Sequence, residues 1–339
     1  MKYTFKSLKQ VSDIFVGDEK IGATEISNRL GKSRTIVHKY LKELLERGEL
    51  KKIGTGPQVV YQKINFDTKD TDTLTASDQD LIISFQDRKI LDEFFLKFSA
   101  EGLIMKGFEG FKLWCLERGI NTEEKIKLFI KTYHHIVSLQ DSCGLISAKN
   151  AFGKDFETVY LDNIFYADQY NWMEFGRGKL AELTFYGKST QNKDLINQSI
   201  EEIFSKLECK IKTEKYDAIA ITPWSIDRKN QLLKILEIQL KKLNLPFVNI
   251  IKYSSSGITI PQKSLKTREQ RIKNAKNTIF VDERNIGKYK KVFLIDDFVG
   301  SGSTLNETAK KLKDEGVSRV DGFAFVGNLN LKYDIINEV

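Results

Sequence analysis

One stretch of the chain, residues 292–305, constrains the fold more than any other. Four apolar residues at 292–295 predict a buried parallel strand, and two adjacent carboxylates, Asp296 and Asp297, come where that strand should end. A loop of small residues follows at 300–304, and the pattern after it predicts an amphipathic helix. This order predicts an α/β domain with a site at the carboxyl end of the strand.

The residue types in this stretch indicate the chemistry of the site. Backbone amides of a small-residue loop next to a helix N-terminus form a cradle for a phosphate dianion. The loop residues are Gly300, Ser301, Gly302, Ser303 and Thr304. Asp296 and Asp297 lie one loop away and can accept hydrogen bonds from a vicinal diol. Phosphate and diol together describe a sugar phosphate, and a Walker-type loop is disfavoured because no Lys follows Gly302.

The stretch resembles the phosphoribosyl pyrophosphate (PRPP) signature of type I phosphoribosyltransferases. The resemblance implies that Asp296 and Asp297 hold the ribose hydroxyls and that the loop at 300–304 holds the 5′-phosphate. It also implies Mg²⁺ as a cofactor bound with PRPP, which the two carboxylates reach only indirectly. Many members carry Thr-Thr-Gly where this chain has Gly-Ser-Gly at 300–302, and Ser301 retains the hydroxyl donor.

The preceding sequence predicts the rest of an α/β domain over residues 146–339. Apolar segments predict further strands at 218–221, 247–251, 278–281 and 320–326, with a long helix over 234–243. Alternating strands and helices predict a doubly wound, mostly parallel sheet. Thr222 and Asp296 both follow predicted strands, and such sheets bind ligands where strands end.

A second resemblance covers about residues 160–330. Gln262, Leu265, Arg268, Asn274 and Phe280 follow one another as in the flexible-loop region of ComF-like phosphoribosyltransferases. Residues 166–188 resemble the hood and first helix of that group. The resemblance implies that this loop closes over pyrophosphate, with Gln262 among its ligands. Arg268 or Arg271 would then stabilise the leaving group, and a solvated basic helix is the alternative for either.

The first 64 residues carry most of the positive charge. They hold 13 Lys and Arg against 7 Asp and Glu, a net charge of +6, whereas the whole chain has +8. Patterns predict helices over 5–15 and 24–31, a third from Ser33 to about Arg47, and a hairpin over 50–61. The arrangement resembles a winged helix-turn-helix over residues 1–64.

The winged-helix resemblance implies a nucleic-acid interface on the third helix and the wing. The implied contact residues are Arg34, Thr35, His38, Lys39, Lys42, Lys51 and Lys52. Protein docking is the alternative, because winged helices serve both purposes and a Lys-rich face is often only solvated. The sequence does not specify which nucleic acid would bind.

Two further segments lie between residues 1–64, called the head below, and the α/β domain. Residues 65–79 are rich in Asp, Thr, Lys and Ser, which predicts a linker. Residues 80–145 carry an apolar stripe that predicts a helical segment, and Phe108, Phe111 and Trp114 are expected to be core rather than a ligand cage. The segment is a spacer, an oligomerisation element of a homo-oligomer, or a cover over the active site.

Composition restricts the remaining classes. Three cysteines without a CxxC pair are too few for a disulfide framework, and they fit a reducing cytoplasm. With only three histidines, a His/Cys metal site is not expected. No apolar run predicts a membrane span and no signal-peptide pattern is present, so we expect a cytoplasmic protein that does not bind membranes.

Three functions agree with these patterns. The domain order resembles the ribosyltransferase/DNA-binding proteins that accompany a reverse transcriptase and its small DNA–RNA hybrid in antiviral retron systems, which implies an effector enzyme. A second reading is a transcriptional regulator similar in layout to the winged-helix purine repressor, which senses PRPP without catalysis. A third is a salvage or competence-type enzyme whose head mediates assembly. The basic loop that contains Gln262, Arg268 and Arg271, called the lid below, favours catalysis, because a pure sensor does not need a loop that closes over its ligand.

Overall fold

The structure is a computed structural model, and it describes most of the chain. The described residues are 10–11, 13–15, 19–46, 50–54, 56, 59–63, 81, 83–149, 156–224, 226–282, 284, 286–300 and 302–327. The linker predicted at 65–79 and most of the helix predicted over 5–15 lie outside them. They form one group of elements over 20–63 and a larger one over 85–327.

The N-terminal group has two helices and a small antiparallel sheet. Helix α1 (Ala23–Leu30) ends at Gly31, whose φ of 61° is a left-handed conformation that favours glycine, and helix α2 (Arg34–Glu46) follows. The strands are β1 (Lys20–Gly22), β2 (Leu50–Ile53) and β3 (Val60–Lys63), paired in the order β1-β3-β2. These two helices and the hairpin lie close to their predicted positions. The winged helix-turn-helix assignment stays a prediction.

Residues 85–138 contain three helices and a β-hairpin. The elements are α3 (Phe85–Phe94), β4 (Leu96–Phe98), β5 (Ile104–Lys106), α4 (Gly107–Leu116) and α5 (Thr122–Ser138). The prediction of a helical segment over 80–145 is wrong at the hairpin, where β4 and β5 pair and Gly102 has a φ of 81°. Two strands of three residues are too short to interrupt the apolar periodicity that predicted helix.

The aromatic side chains of this segment form part of the main core. Phe111 is fully buried, and its ring centroid lies 5.9 Å from that of Trp114 and 6.1 Å from that of Phe175. Phe108 is buried in the same cluster, so the expectation that these rings are core is confirmed. Because this cluster extends to Val292, residues 85–138 and the central sheet share one core.

A six-stranded sheet forms the centre of residues 146–327. Its strands are β6 (Ile146–Ser147), β7 (Asn163–Gln169), β8 (Ala218–Ile221), β9 (Phe247–Val248), β12 (Lys291–Val299) and β13 (Arg319–Gly327). The strand order is β6-β7-β13-β12-β8-β9, and every pair is parallel except β6 with β7. The predicted α/β class with a mostly parallel sheet is therefore confirmed.

Helices cover both faces of this sheet. The helices are α6 (Lys179–Thr190), α7 (Lys193–Glu214), α8 (Leu232–Leu240), α9 (Arg268–Thr278) and α10 (Ser303–Asp314). Successive side chains of a strand point to opposite faces. Along β12, Val292 and Leu294 accordingly join the core that includes α10, whereas Phe293 and Ile295 join the core that includes α7 and α8.

Two predicted strands do not join the central sheet as expected. The strand predicted at 247–251 divides after Val248, and residues Ile250–Lys252 form β10. Strand β10 pairs antiparallel with β11 (Ile279–Val281) in a separate two-stranded sheet, so the placement of 278–281 in the central sheet is wrong. Ile251 and Phe280 remain 50% and 41% exposed, which marks a surface hairpin rather than a buried strand.

A buried ion pair attaches the β4–β5 hairpin to helix α6. Lys97 Nζ lies 3.0 Å from Glu182 Oε1, and both side chains are buried. The Lys97 ammonium also donates a hydrogen bond to the carbonyl oxygen of Arg177, whose own guanidinium Nε lies 3.4 Å from Glu182 Oε2. Burial lowers the pKa of Lys97, and Glu182 partly opposes this effect. The pair fixes the orientation of α6 relative to residues 85–138, called the middle segment below.

The cysteine pattern predicted a reducing cytoplasm, and the lengths of the apolar segments predicted that the chain does not span a membrane. Cys143 and Cys209 form a disulfide with a Cα–Cα distance of 5.6 Å, a single bridge that the expectation of no disulfide framework did not anticipate. Helix α7 passes beside the loop before β6 and brings together two residues 66 positions apart, which spacing alone does not reveal. In the described part of the chain, no helix has the length and apolar character needed to cross a bilayer.

Candidate functional site

The acidic pair lies on β12 beside the end of β8. Thr222 Oγ1 donates a hydrogen bond to Asp296 Oδ1 at 2.8 Å, and the backbone N–H of Asp297 donates to the same oxygen at 2.8 Å. Asp296 keeps partial contact with a cavity, but most of its carboxyl is removed from water. This burial, with the neighbouring charge of Asp297, raises the pKa of Asp296 to about 7. Thr222 and Asp296, predicted at the same sheet edge, are in direct contact.

Asp297 has a different partner. Its Oδ2 lies 2.7 Å from Lys188 Nζ, and both side chains are about one fifth exposed. Lys188 lies in the last turn of α6. The two adjacent carboxylates therefore differ in environment, because Asp296 accepts neutral hydrogen bonds and Asp297 faces a cation.

The small-residue loop opens the helix that follows the acidic pair. Gly302 has a φ of 70° and precedes the first residue of α10, Ser303. Gly300 approaches the aromatic ring of Phe298 so closely that a Cβ at this position would lie 3.0 Å from Cε1. Gly300, Gly302, Ser303 and Thr304 all line the cavity that contains the acidic pair, whereas Ser301 lies outside the described residues. The N-terminus of α10 thus faces this cavity, a geometry suited to an anion.

The two arginines predicted for the lid differ in position. Arg271 lines the cavity, and its Nε donates a hydrogen bond to the carbonyl oxygen of Leu265 at 3.1 Å. Gln262 also lines the cavity, with Nε2 donating to the carbonyl oxygen of Arg271 at 3.1 Å. Arg268 lies outside the cavity lining, and its guanidinium is 5.5 Å from the ring centroid of Phe156. The structure therefore brings Gln262 and Arg271, but not Arg268, to the acidic pair.

The cavity has a volume of about 250 Å³ and carries more cations than the sequence analysis identified. Besides Arg271, its lining includes Lys188, Arg228 and Lys252. Burial lowers the pKa of Lys252, and the Asp296 carboxylate opposes this effect. Arg228 lies in the loop after β8, which ends at Ile221, and that position is the one sequence signal that could have found it. A surplus of cations over the two carboxylates suits a polyanionic ligand.

The acidic pair does not fit direct metal coordination by protein groups alone. Among the described residues, no cluster of three or more His, Cys, Asp or Glu side chains could hold a metal ion. Asp297 Oδ2 contacts Lys188, and Asp296 Oδ1 already accepts two hydrogen bonds. A metal at this site would need most of its ligands from a substrate.

The residues predicted to bind nucleic acid lie at the surface of the N-terminal group. On α2 the exposed residues are Arg34, Thr35, His38, Lys39 and Lys42, and on β2 they are Lys51 and Lys52. The opposite face of α2 buries Val37, Leu41 and Leu44. Helix α2 is thus amphipathic, with its polar face basic.

Comparison with known proteins agrees with the geometry of the C-terminal site. Residues 196–335 match the phosphoribosyl transferase domain family, and this range contains the acidic pair, the small-residue loop and the lid. The chain therefore carries a phosphoribosyltransferase-type domain.

The domain also has a ComF-like relative. Over 88 residues the chain is 36% identical to Competence protein F of Haemophilus influenzae, which covers 25% of this chain and 38% of that protein. The chain therefore matches less than two fifths of the length of this relative.

Proposed function

We propose that this chain is a nucleic-acid-binding (phospho)ribosyltransferase effector of an antiviral, retron-type defence system. Its C-terminal domain binds PRPP or a related ribose phosphate, and it transfers or cleaves at ribose C1. The observation that carries the enzymatic part is one cavity lined by Asp296, Asp297, four residues of the small-residue loop (Gly300, Gly302, Ser303 and Thr304) and four cationic side chains.

The cavity supports a division of labour along one sugar phosphate. The amides of the loop and of the α10 N-terminus bind the 5′-phosphate. Asp296 and Asp297 accept hydrogen bonds from the ribose hydroxyls. The C1–O bond to diphosphate then breaks with the electron pair leaving on oxygen, and Arg271 stabilises the charge on that leaving group. A nucleophile forms the new bond to C1, and water in this role gives cleavage instead of transfer.

Mg²⁺ fits this proposal as a companion of the substrate. The ion would supply charge neutralisation of the diphosphate leaving group. Asp296 and Asp297 would contact it only through the ribose hydroxyls, in agreement with the ion pair that Asp297 already makes. The protein groups orient the diol and exclude water from it.

Binding of PRPP tests the enzymatic part. We expect the full chain to bind PRPP in isothermal titration calorimetry, and we expect Asp296→Asn with Asp297→Asn to abolish this binding. Asp314→Asn, an exposed position at the end of α10, is the matched control and should bind as the unmodified chain does. Unchanged PRPP binding by the double variant would contradict the site assignment.

The nucleic-acid part rests on the basic, exposed face of α2 and on the resemblance to retron-associated proteins. Its test is to purify the tagged chain from its native host and to sequence the nucleic acid that accompanies it. One abundant small DNA–RNA species, together with a reverse transcriptase, is the expected result. Enrichment of a few promoter duplexes would instead favour the PRPP-sensing regulator, and recovery of nothing above background would favour a stand-alone transferase.

A further inference from the structure

Lys188 lines the cavity, and several contacts fix its side chain and the end of its helix. Its side chain comes from the last turn of α6, and its ammonium lies 2.7 Å from Asp297 Oδ2. The carboxylate and the ammonium are 21% and 22% exposed, so bulk water screens the pair only partly. Lys188 thus reaches the acidic pair from an element remote in sequence from the PRPP-like stretch.

Hydrogen bonds attach the end of α6 to the loop that lines the cavity. Gln191, the left-handed C-cap of α6, donates from Nε2 to the carbonyl oxygen of Lys188 at 2.8 Å. Asn230 donates from its backbone N–H to Gln191 Oε1 at 3.0 Å, and from Nδ2 to the Gln191 carbonyl oxygen at 2.6 Å. Six residues earlier, the buried contact between Glu182 and Lys97 fixes the same helix. Lys188 is therefore held in place by bonds on both sides of it, which is typical of a preorganised site residue.

The positive charge of Lys188 offsets the repulsion between the two carboxylates of the acidic pair. Two adjacent carboxyl groups in a water-poor position repel one another when both are ionised. The partners of Asp296 at this position are a hydroxyl and an amide, which carry no net charge. A ribose diol is also neutral and cannot balance the pair. The Lys188 ammonium supplies the opposite charge in direct contact with Asp297, and Lys252, which lines the same cavity, adds positive charge near Asp296.

We propose that Lys188 is a positioning residue of the sugar-phosphate site: it holds the Asp297 carboxylate in place to accept hydrogen bonds from a ribose diol. This inference rests on the proposed function, because it assumes that the acidic pair binds ribose. It predicts a larger effect on ligands that carry the diol. Inorganic phosphate would contact the loop and α10 and only feel the charge of Lys188 across the cavity, so its affinity should depend less on Lys188.

The test compares three probes on the full chain: ribose 5-phosphate, 2-deoxyribose 5-phosphate and inorganic phosphate. Lys188→Met should weaken ribose 5-phosphate binding by about tenfold, the size of one lost charge-assisted hydrogen bond, and weaken phosphate binding clearly less. The loss should be smaller for the 2-deoxy sugar, which lacks one hydroxyl of the diol. Lys188→Arg retains the positive charge and should restore most of the affinity for ribose 5-phosphate.

Lys179→Met is the matched control, since Lys179 begins the same helix and pairs with Glu202 at 2.5 Å. It should not change the ranking of the three probes. Equal weakening of phosphate and ribose 5-phosphate by Lys188→Met would overturn the inference, because it would mean general damage to the site. If the unmodified chain clearly prefers ribose 5-phosphate and Lys188→Met leaves that preference unchanged, the inference is overturned but the proposed function is not. An unmodified chain that binds ribose 5-phosphate no better than phosphate would overturn the proposed function as well.

Discussion

At the scale of single residues, Asp296 ties stability to pH. Its pKa in the folded chain is raised to about 7 by burial and by Asp297, whereas an exposed Asp titrates near 3.8. The folded state therefore binds the proton more tightly than the unfolded state, and stability falls as pH rises from about 4 to 7. Asp296→Asn removes this penalty, so we expect its melting temperature to exceed that of the unmodified chain by more at pH 8 than at pH 5.

Thermal melts at both pH values check this prediction. Asp314→Asn provides the comparison, because Asp314 is exposed at the end of α10. A gain for Asp296→Asn that is equal at pH 5 and pH 8 would contradict a raised pKa. The same variant should weaken ribose 5-phosphate binding, since the amide replaces one acceptor oxygen of the carboxylate by an NH2 group, which cannot accept a hydrogen bond from a hydroxyl.

Gly302 is a second residue whose backbone is required. Its φ of 70° costs a residue with a Cβ about 1–2 kcal/mol. We expect Gly302→Ala to lower stability by this amount and to weaken phosphate binding, because the loop must move to relieve the strain. Gly316, with a φ of 93° just after the other end of α10, is the matched control. Gly316→Ala should cost similar stability in chemical denaturation without changing phosphate affinity.

The candidate site was predictable from the sequence only where its residues are contiguous. Asp296, Asp297 and the loop at 300–304 lie in one short stretch, so their spacing was sufficient. Thr222 was found because it ends a strand. Lys188 and Lys252 come from a helix and a surface hairpin that approach the acidic pair only through the tertiary fold, and no local pattern marks them.

At the scale of elements, the buried pair between β4 and α6 should be costly to break. Glu182→Gln leaves the Lys97 ammonium without its buried counter-charge, and we expect a loss of about 3 kcal/mol in the free energy of unfolding. Lys97→Met combined with Glu182→Leu replaces both groups by apolar ones and should recover much of the loss, since Arg177 can reach water. Chemical denaturation of both variants measures the difference. A double variant less stable than Glu182→Gln would contradict this account.

Some short strands were missed or assigned to the wrong sheet, although others, such as β8, were predicted at their observed positions. The strands of the β4–β5 and β10–β11 hairpins have three residues each, and apolar runs of this length occur equally in helices and in buried strands. Strand β7 has seven residues but lies in a stretch whose resemblance to a hood and first helix concealed it. Helix α2, a long element with a full pattern, was placed closely. The predicted end of β12 was wrong, because the strand continues to Val299 and includes the acidic pair that was predicted to follow it.

At the scale of the whole molecule, the sheet and the middle segment form one packed unit, and the chain's positive charge is concentrated elsewhere. Residues 85–138 share a core with β12 and α10, so their removal would expose aromatic side chains that pack against them, such as Phe175. The head of 64 residues carries a net charge of +6. We therefore expect charge changes on the surface of the head to alter the binding of anionic partners, and changes in the core of residues 85–327 to alter stability.

The charge of the head leads to a prediction about salt. If the basic face of α2 binds nucleic acid, each lost phosphate contact should reduce the slope of log affinity against log salt by about 1. Arg34→Ala with Lys39→Ala should therefore weaken duplex binding at low salt and lower the slope by about 2, with PRPP binding unchanged. Fluorescence anisotropy with a labelled duplex from 50 to 300 mM salt, about the range in which such slopes are read, measures both quantities.

Two exposed lysines outside the head provide the control for this double variant. Lys127 and Lys212 are 73% and 71% exposed, and each pairs with a glutamate one turn earlier in its helix. Changing both to Ala removes the same amount of charge from the chain, so a general electrostatic attraction would lower the slope as much as the head variant does. A lower slope for the head variant alone would locate the interface on α2. Equal slopes for the two variants would leave protein docking as the role of the head.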